Sequence, residues 1–172
     1  WSSDVCSSDL TATLRFEYFF ECLRAKRRQS RQLKNLTASQ LMQPLALAPL
    51  FPSTATVDNV RQQIAHRYTA YFPIYHRVPH NVVSIVNLRD ILRLSSKQKI
   101  LDQGKSPWFV TKDTSILQIL DQFRRNNQSV AVILETSGQA CGILTLDQIV
   151  DTIFGPEAEI EEETLRQPHL IH

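Results

Sequence analysis

Two stretches decide the fold: VDNVRQQIAHRYTAYFPIY at 57–75 and ILQILDQFRRNNQSVAVIL at 116–134. Laid side by side, Val57, Val60 and Ile64 fall on Ile116, Ile119 and Phe123. Spacings of three and four put these apolar residues on one face of a helix, so each copy predicts an amphipathic helix. Thr56 and Thr114 stand at the two helix starts, where a hydroxyl caps free N–H groups. The copies then run into Tyr71-Phe72-Pro73-Ile74-Tyr75 and Val130-Ala131-Val132-Ile133-Leu134, both short, β-branched or aromatic, and strand-like.

Working outward, each copy continues in the same way. A polar turn follows, with Pro79 and Asn81 in the first copy and Ser137, Gly138 and Gln139 in the second. Next comes a second strand, Val82–Val86 against Cys141–Leu144. With a one-residue gap, Asn87–Leu92 then aligns with Thr145–Val150 as the start of a second helix. Upstream, Pro49-Leu50-Phe51 matches Trp108-Phe109-Val110 as a short first strand. Each copy therefore predicts strand, helix, strand, strand, helix, too small to bury its apolar surface alone. The fold class is α/β (α+β): two pseudo-symmetric repeats, 36–98 and 99–156, joined through a polar linker at Leu94–Pro107.

Five strings in this frame resemble the tandem cystathionine-β-synthase (CBS) pair, and most closely the CorC/HlyC and CNNM group implicated in magnesium and cobalt handling. Leu41-Met42-Gln43-Pro44 resembles that group's Val-Met-Thr-Pro. Tyr71–Tyr75 resembles Arg-Phe-Pro-Val-Tyr, and Val86–Leu92 resembles its hydrophobic-x-Leu-Lys-Asp-Leu turn. Gly142–Ile149 resembles Gly-Ile-Val-Thr-Leu-Glu-Asp-Leu, and Ile153-Phe154-Gly155 before acidic residues resembles its exit from the second domain. The likeness runs from Leu36 to Glu163. It implies a regulatory module on the cytoplasmic side of the cell membrane, below an upstream membrane domain, that homodimerises through its CBS helices. It also implies ATP or another adenine nucleotide, with Mg²⁺, between the repeats.

The nucleotide signature implied by that resemblance is Gly-hydrophobic-hydrophobic-Thr/Ser-x-x-Asp. Its hydroxyl reaches a phosphate at a helix start, its carboxylate accepts from ribose hydroxyls, and its glycine permits close backbone approach. The second repeat supplies Gly142 and Thr145 but places Gln148 where the carboxylate belongs, with Asp147 rotated about 100° away. A glutamine oxygen still accepts, without charge assistance. The first repeat supplies Asp90 but carries Ser84 for the glycine and Asn87 for the hydroxyl. Thr145 and Asn87 also read simply as helix caps. Pro73 implies an edge strand or irregularity, or a wall of the adenine pocket; Tyr71 reads as a base-stacking ring or as core. The candidate set is thus Thr145, Gln148, Gly142, Asn87, Asp90, Pro73 and Tyr71. The alternative reading is a degenerate pair that binds nothing small and serves as a dimerisation scaffold.

The remaining chain excludes more than it adds. Net charge is +2 over 172 residues, with no global bias toward nucleic acid. Three cysteines without a Cys-x-x-Cys make neither a disulfide framework nor a zinc site, and Cys141 reads as a small apolar filler. Five histidines lack metal-site spacing; with four glycines and no nucleophile–base motif, an enzyme is not expected. No apolar run reaches the ~18–20 residues of a membrane span. Residues 1–10 resemble translated sequencing-adapter read-through, or else a Ser-rich native terminus. Residues 11–35 predict a helix with Phe16, Phe19, Phe20 and Leu23 on one side and Arg24, Lys26, Arg27, Arg28, Arg31 and Lys34 making the rest basic. That helix suits either a linker packed on the module or an anionic membrane surface, with nucleic acid a lesser reading. The tail 157–172 begins with an acidic run that is solvated, meets a partner or holds Mg²⁺.

Overall fold

The structure, a computed structural model, describes residues 34–64 and 69–152. The leader 1–10, most of the basic segment 11–35 and the acidic tail lie outside the described residues. In chain order the elements are α1 (Ala38–Leu41), β1 (Gln43–Pro44), a 3₁₀ turn (Leu45–Leu47), β2 (Phe51–Pro52), α2 (Val57–Ile64), β3 (Tyr71–Tyr75), β4 (Val82–Asn87) and α3 (Leu88–Ile91). A second 3₁₀ turn (Ile100–Gln103), β5 (Phe109–Thr111), α4 (Ile116–Asn126), β6 (Val130–Leu134), β7 (Ala140–Thr145) and a final helix α5 (146–152) complete them.

The predicted repeat is present and its strand registers match. β2–β3–β4 form one sheet, parallel then antiparallel; β5–β6–β7 do the same in the other. Tyr71 faces Asn87 across the first ladder as Val130 faces Thr145 across the second. Both ladders also shift register at the same place, between Ile74 and Tyr75 and between Ile133 and Leu134. The shift leaves Val83 and Cys141 as the extra residue in each.

In space, however, the segment leading into each repeat is exchanged. β1 adds to the second repeat's sheet, pairing Gln43 with Ile143 and Pro44 with Gly142. Ala38 N–H donates to Thr114 O, and Ala38 is fully buried in the second repeat's core. The first repeat receives 99–105 in return. The Thr37–Ser115 bridge is mirrored by Lys99–Thr56, and Gln43–Ile143 by Lys105–Ile85. Ile100 is fully buried in the first core. The stretch expected to be a bare linker, Leu94–Pro107, therefore carries a 3₁₀ turn and two β-bridges.

Two further expectations are corrected. Pro73 is not on an edge, since β3 lies between β2 and β4, although the irregularity also expected is there as the register shift between Ile74 and Tyr75. The proline is tolerated because β2 is short and reaches only Ile74 and Tyr75. The matching residue in β6, Val132, donates its N–H to Trp108 O at 2.8 Å, and there β5 pairs one residue further back, at Phe109. A proline lacks that donor, which shortens the strand opposite it. The second correction concerns the cap of α4. Ser115, not Thr114, accepts from Gln118 N–H at 3.3 Å; the Thr114 hydroxyl bonds to that of Thr111.

Three apolar clusters result. One lies under each sheet, and a third joins the repeats, built from Leu45, Val82, Ile85, Val130, Val132, Ala140 and Ile143. His80, in the turn before β4, accepts from Ala140 N–H at 3.2 Å and adds a polar tie across the same junction.

Candidate functional site

The inter-repeat cluster is where residues of both copies meet, and alternation along the strands explains how. Phe72 and Ile74 point into the first core, so Tyr71, Pro73 and Tyr75 take the opposite face of β3. Tyr71 packs there, half-buried, against the cluster that also holds Val130, Val132 and Ile143 of the second repeat. Ala48 and Leu50, from the run before β2, pack on the same cluster. Leu50 was expected in the first short strand, which forms instead at Phe51–Pro52, and Ala48 had no assigned role.

Around this apolar face stand the polar candidates, at the C-terminal ends of β7 and β4. Thr145 and Gln148 form a reciprocal capping box at the start of α5. Thr145 N–H donates to Gln148 Oε1 at 2.8 Å, and Gln148 N–H donates to Thr145 Oγ1 at 3.2 Å. The amide oxygen offered to a ribose hydroxyl is thus held by backbone. Asn87 caps α3, accepting from Arg89 N–H at 2.9 Å, and Asp90 is exposed in that first turn. Among the described residues no hydrogen bond joins the Thr145–Gln148 pair to the Asn87–Asp90 pair.

The remaining candidates are buried. Pro73 sits opposite Ile85 in the middle of β3. Gly142 lies under the leading segment: a Cβ there would come within 2.5 Å of Met42 Sδ and 2.8 Å of Gln43 O. Its small size is used by the chain itself. No group of three or more His, Cys, Asp or Glu able to hold a metal ion occurs among the described residues. No described helix is long and apolar enough to cross a membrane.

Known proteins share this arrangement. The CBS domain family matches residues 104–155. A putative DUF21 domain-containing chloroplastic protein of Arabidopsis thaliana is 26% identical over 132 residues, covering 72% of this chain and 20% of that protein. Hemolysin C of Brachyspira hyodysenteriae is 22% identical over 142 residues, covering 78% of this chain and 52% of its own length. The chain therefore spans between a fifth and about half of these curated relatives. Among solved structures, the CBS domain of the bacterial CNNM/CorC family Mg²⁺ transporter in complex with ATP superposes with a TM-score of 0.70. Its identity is 18%, over 74% of this chain and 93% of that one. The ATP-bound cytosolic domain of the Mg²⁺ channel MgtE follows at 0.58, with 17% identity over 67% of this chain and 48% of that one. Residues 104–155 thus match the CBS domain, the repeat before them has the same strand order and registers, and the chain is similar to hemolysin C, UPF0053 and CNNM/CorC proteins.

Proposed function

We propose that the chain is the regulatory module of a longer, transport-associated membrane protein. On this reading it lies on the cytoplasmic side and binds an adenine nucleotide, with Mg²⁺, between its repeats. It then changes the angle between repeats or between protomers of a homodimer. The observation that carries this is Tyr71. It belongs to the first repeat, packs on the cluster shared with the second, and lies directly opposite Asn87, the cap of α3, in the β3–β4 ladder. Its ring offers a face for a base. Asp90 offers an exposed acceptor for ribose hydroxyls, while Thr145 and Asn87 offer polar groups to phosphate at the cost of opening their caps. A ligand shifts such a module only by its differential affinity for the two arrangements.

The reading of a ligand-free dimerisation scaffold keeps one specific support. Gln148 and Thr145 already satisfy each other, and Ser84 stands where the nucleotide signature has glycine. Calorimetric titration of the chain with ATP, with and without Mg²⁺, separates the two. The regulatory reading expects micromolar binding that weakens about tenfold, roughly 1.4 kcal/mol, in Thr145→Ala. No heat with ATP, ADP or AMP leaves the scaffold.

A further inference from the structure

Each leading segment ends in a joint between a glycine and a larger residue, and the two joints are size-inverted. In the second repeat the glycine is on the strand: Gly142 of β7 receives Met42 and the Gln43 carbonyl from the leading segment. In the first repeat the glycine is on the leading segment. A Cβ at Gly104 would overlap the Ser84 hydroxyl, come within 2.9 Å of Ser84 Cβ, and lie 3.1 Å from Leu101 O. The joints occupy matching places, since Gly142 and Ser84 face Ile133 and Ile74 in equivalent registers. Met42 and Gly104 each directly precede the residue that bridges to Ile143 or Ile85.

We infer that 36–44 and 98–105 are straps held by these size-matched seats, and that each strap bears on the cap residue of the other repeat's strand. Gln43 pairs with Ile143, two residues before Thr145; Lys105 pairs with Ile85, two residues before Asn87. Both Ile143 and Ile85 belong to the inter-repeat cluster. A displacement of either strap therefore moves a strand that ends in a cap and abuts the junction. This accounts for the different residues the two repeats carry at the glycine position of the nucleotide signature. Gly142 is a positioning residue that seats Met42, and Ser84 is accommodated because Gly104 gives way opposite it. The 36–44 strap is also the mechanical link between the residues ahead of it and Thr145. That regulatory consequence rests on the function proposed above; the seats do not.

Amide hydrogen exchange on the whole chain tests the seats first. Ala38 and Ser39, which donate to Thr114 O and Lys112 O, report on the first strap; Ile100 and Lys105, which donate to Ala55 O and Ile85 O, report on the second. Gly104→Ala should speed exchange at Ile100 and Lys105 about tenfold or more, leave Ala38 and Ser39 within about twofold, and be largely reversed by adding Ser84→Gly. Gly142→Ala should do the reverse, with Met42→Ala giving partial recovery because the Gln43 carbonyl remains in place. Equal acceleration of both straps by either variant, or no recovery in Gly104→Ala/Ser84→Gly, overturns the inference. Should Gly104→Ala fail to fold, the double variant must fold; if it does not, the inference is again overturned. Repeating the exchange with Mg²⁺-ATP at concentrations where calorimetry shows saturation tests the coupling. Slower strap exchange supports it, while binding without any change in either strap ends the coupling but not the nucleotide reading. Absence of heat ends the nucleotide reading and, with it, the coupling to that ligand, leaving the seats to stand or fall on the exchange data.

Discussion

The two repeats fill the same core with opposite choices. In the second, the bulk comes from the helix: Phe123 of α4 is fully buried beneath a small strand residue, Ala131. In the first, the helix offers Ile64 and the strand brings Phe72, again fully buried. Each phenylalanine finds an aromatic partner from the start of its repeat. Phe51 meets Phe72 edge-on at 5.2 Å, and Trp108 meets Phe123 at 5.4 Å. The exchanged segments follow suit, with Ala38 entering the core that already holds Phe123, and Ile100 the other. Between the copies the large buried ring moves from the strand to the helix while the layer stays filled, as close packing requires. The inverted glycine joints apply the same rule outside the cores.

The largest effect should come from emptying either layer. Phe123→Ala and Phe72→Ala should each cost about 3–5 kcal/mol. Because each core holds a segment belonging in sequence to the other, urea unfolding by circular dichroism and by tryptophan fluorescence should give one shared midpoint in each variant. Two separated midpoints would break the picture of interlocked repeats. A sharper test moves the first repeat's pattern into the second. Ala131→Phe alone should cost about 1–3 kcal/mol through overpacking, and adding Phe123→Ile should recover part of that loss. A double variant as unstable as the sum of the singles would show that the layers do not trade volume.

The caps give a smaller contrast. Thr145→Ala breaks one arm of a two-bond box and should cost about 1–2 kcal/mol, whereas Asn87→Ala removes a single bond and should cost about 1 or less. Equal losses in thermal unfolding would make the box no better than a lone cap. The smallest effect concerns the bulge residues Cys141 and Val83. Burial, then the nearby Glu135 carboxylate, push the Cys141 thiol above its ordinary value of 9.0, with Lys112 opposing. A raised pKa means the folded state favours the neutral thiol. The stability it confers is complete below about pH 9 and is lost as pH rises through the higher folded value. Cys141→Val, which copies Val83, should therefore remove an alkaline loss of stability. Unchanged curves between pH 8 and 10.5 would show that the thiol contributes none.

Much of this was legible beforehand. The helical spacing of Val57, Val60 and Ile64 against Ile116, Ile119 and Phe123 placed both long helices, because burial of one face leaves a period in the chain. The β-branched and aromatic runs Tyr71–Tyr75 and Val130–Leu134 did the same for β3 and β6. The caps Thr145 and Asn87 were legible from residue type, but their partners were not. That Gln148 reaches back to the Thr145 backbone depends on a rotamer, not on spacing alone. Ser115 was missed because Thr114 and Ser115 are chemically alike, and only backbone direction selects between them. Ala48 was missed because a small residue between two prolines has no period to read.

The sequence by itself determined the repeat, its order of elements and the caps Thr145 and Asn87, since these follow from local spacing and local hydrogen-bonding chemistry. Only the tertiary structure decided which repeat each leading segment completes, why Pro73 survives in a central strand, and why Gly142 and Gly104 sit on opposite partners of matching joints. Those outcomes depend on which surfaces meet across residues far apart in the chain. No local pattern encodes that choice, because a segment such as 36–44 has the same spacing whichever sheet it joins.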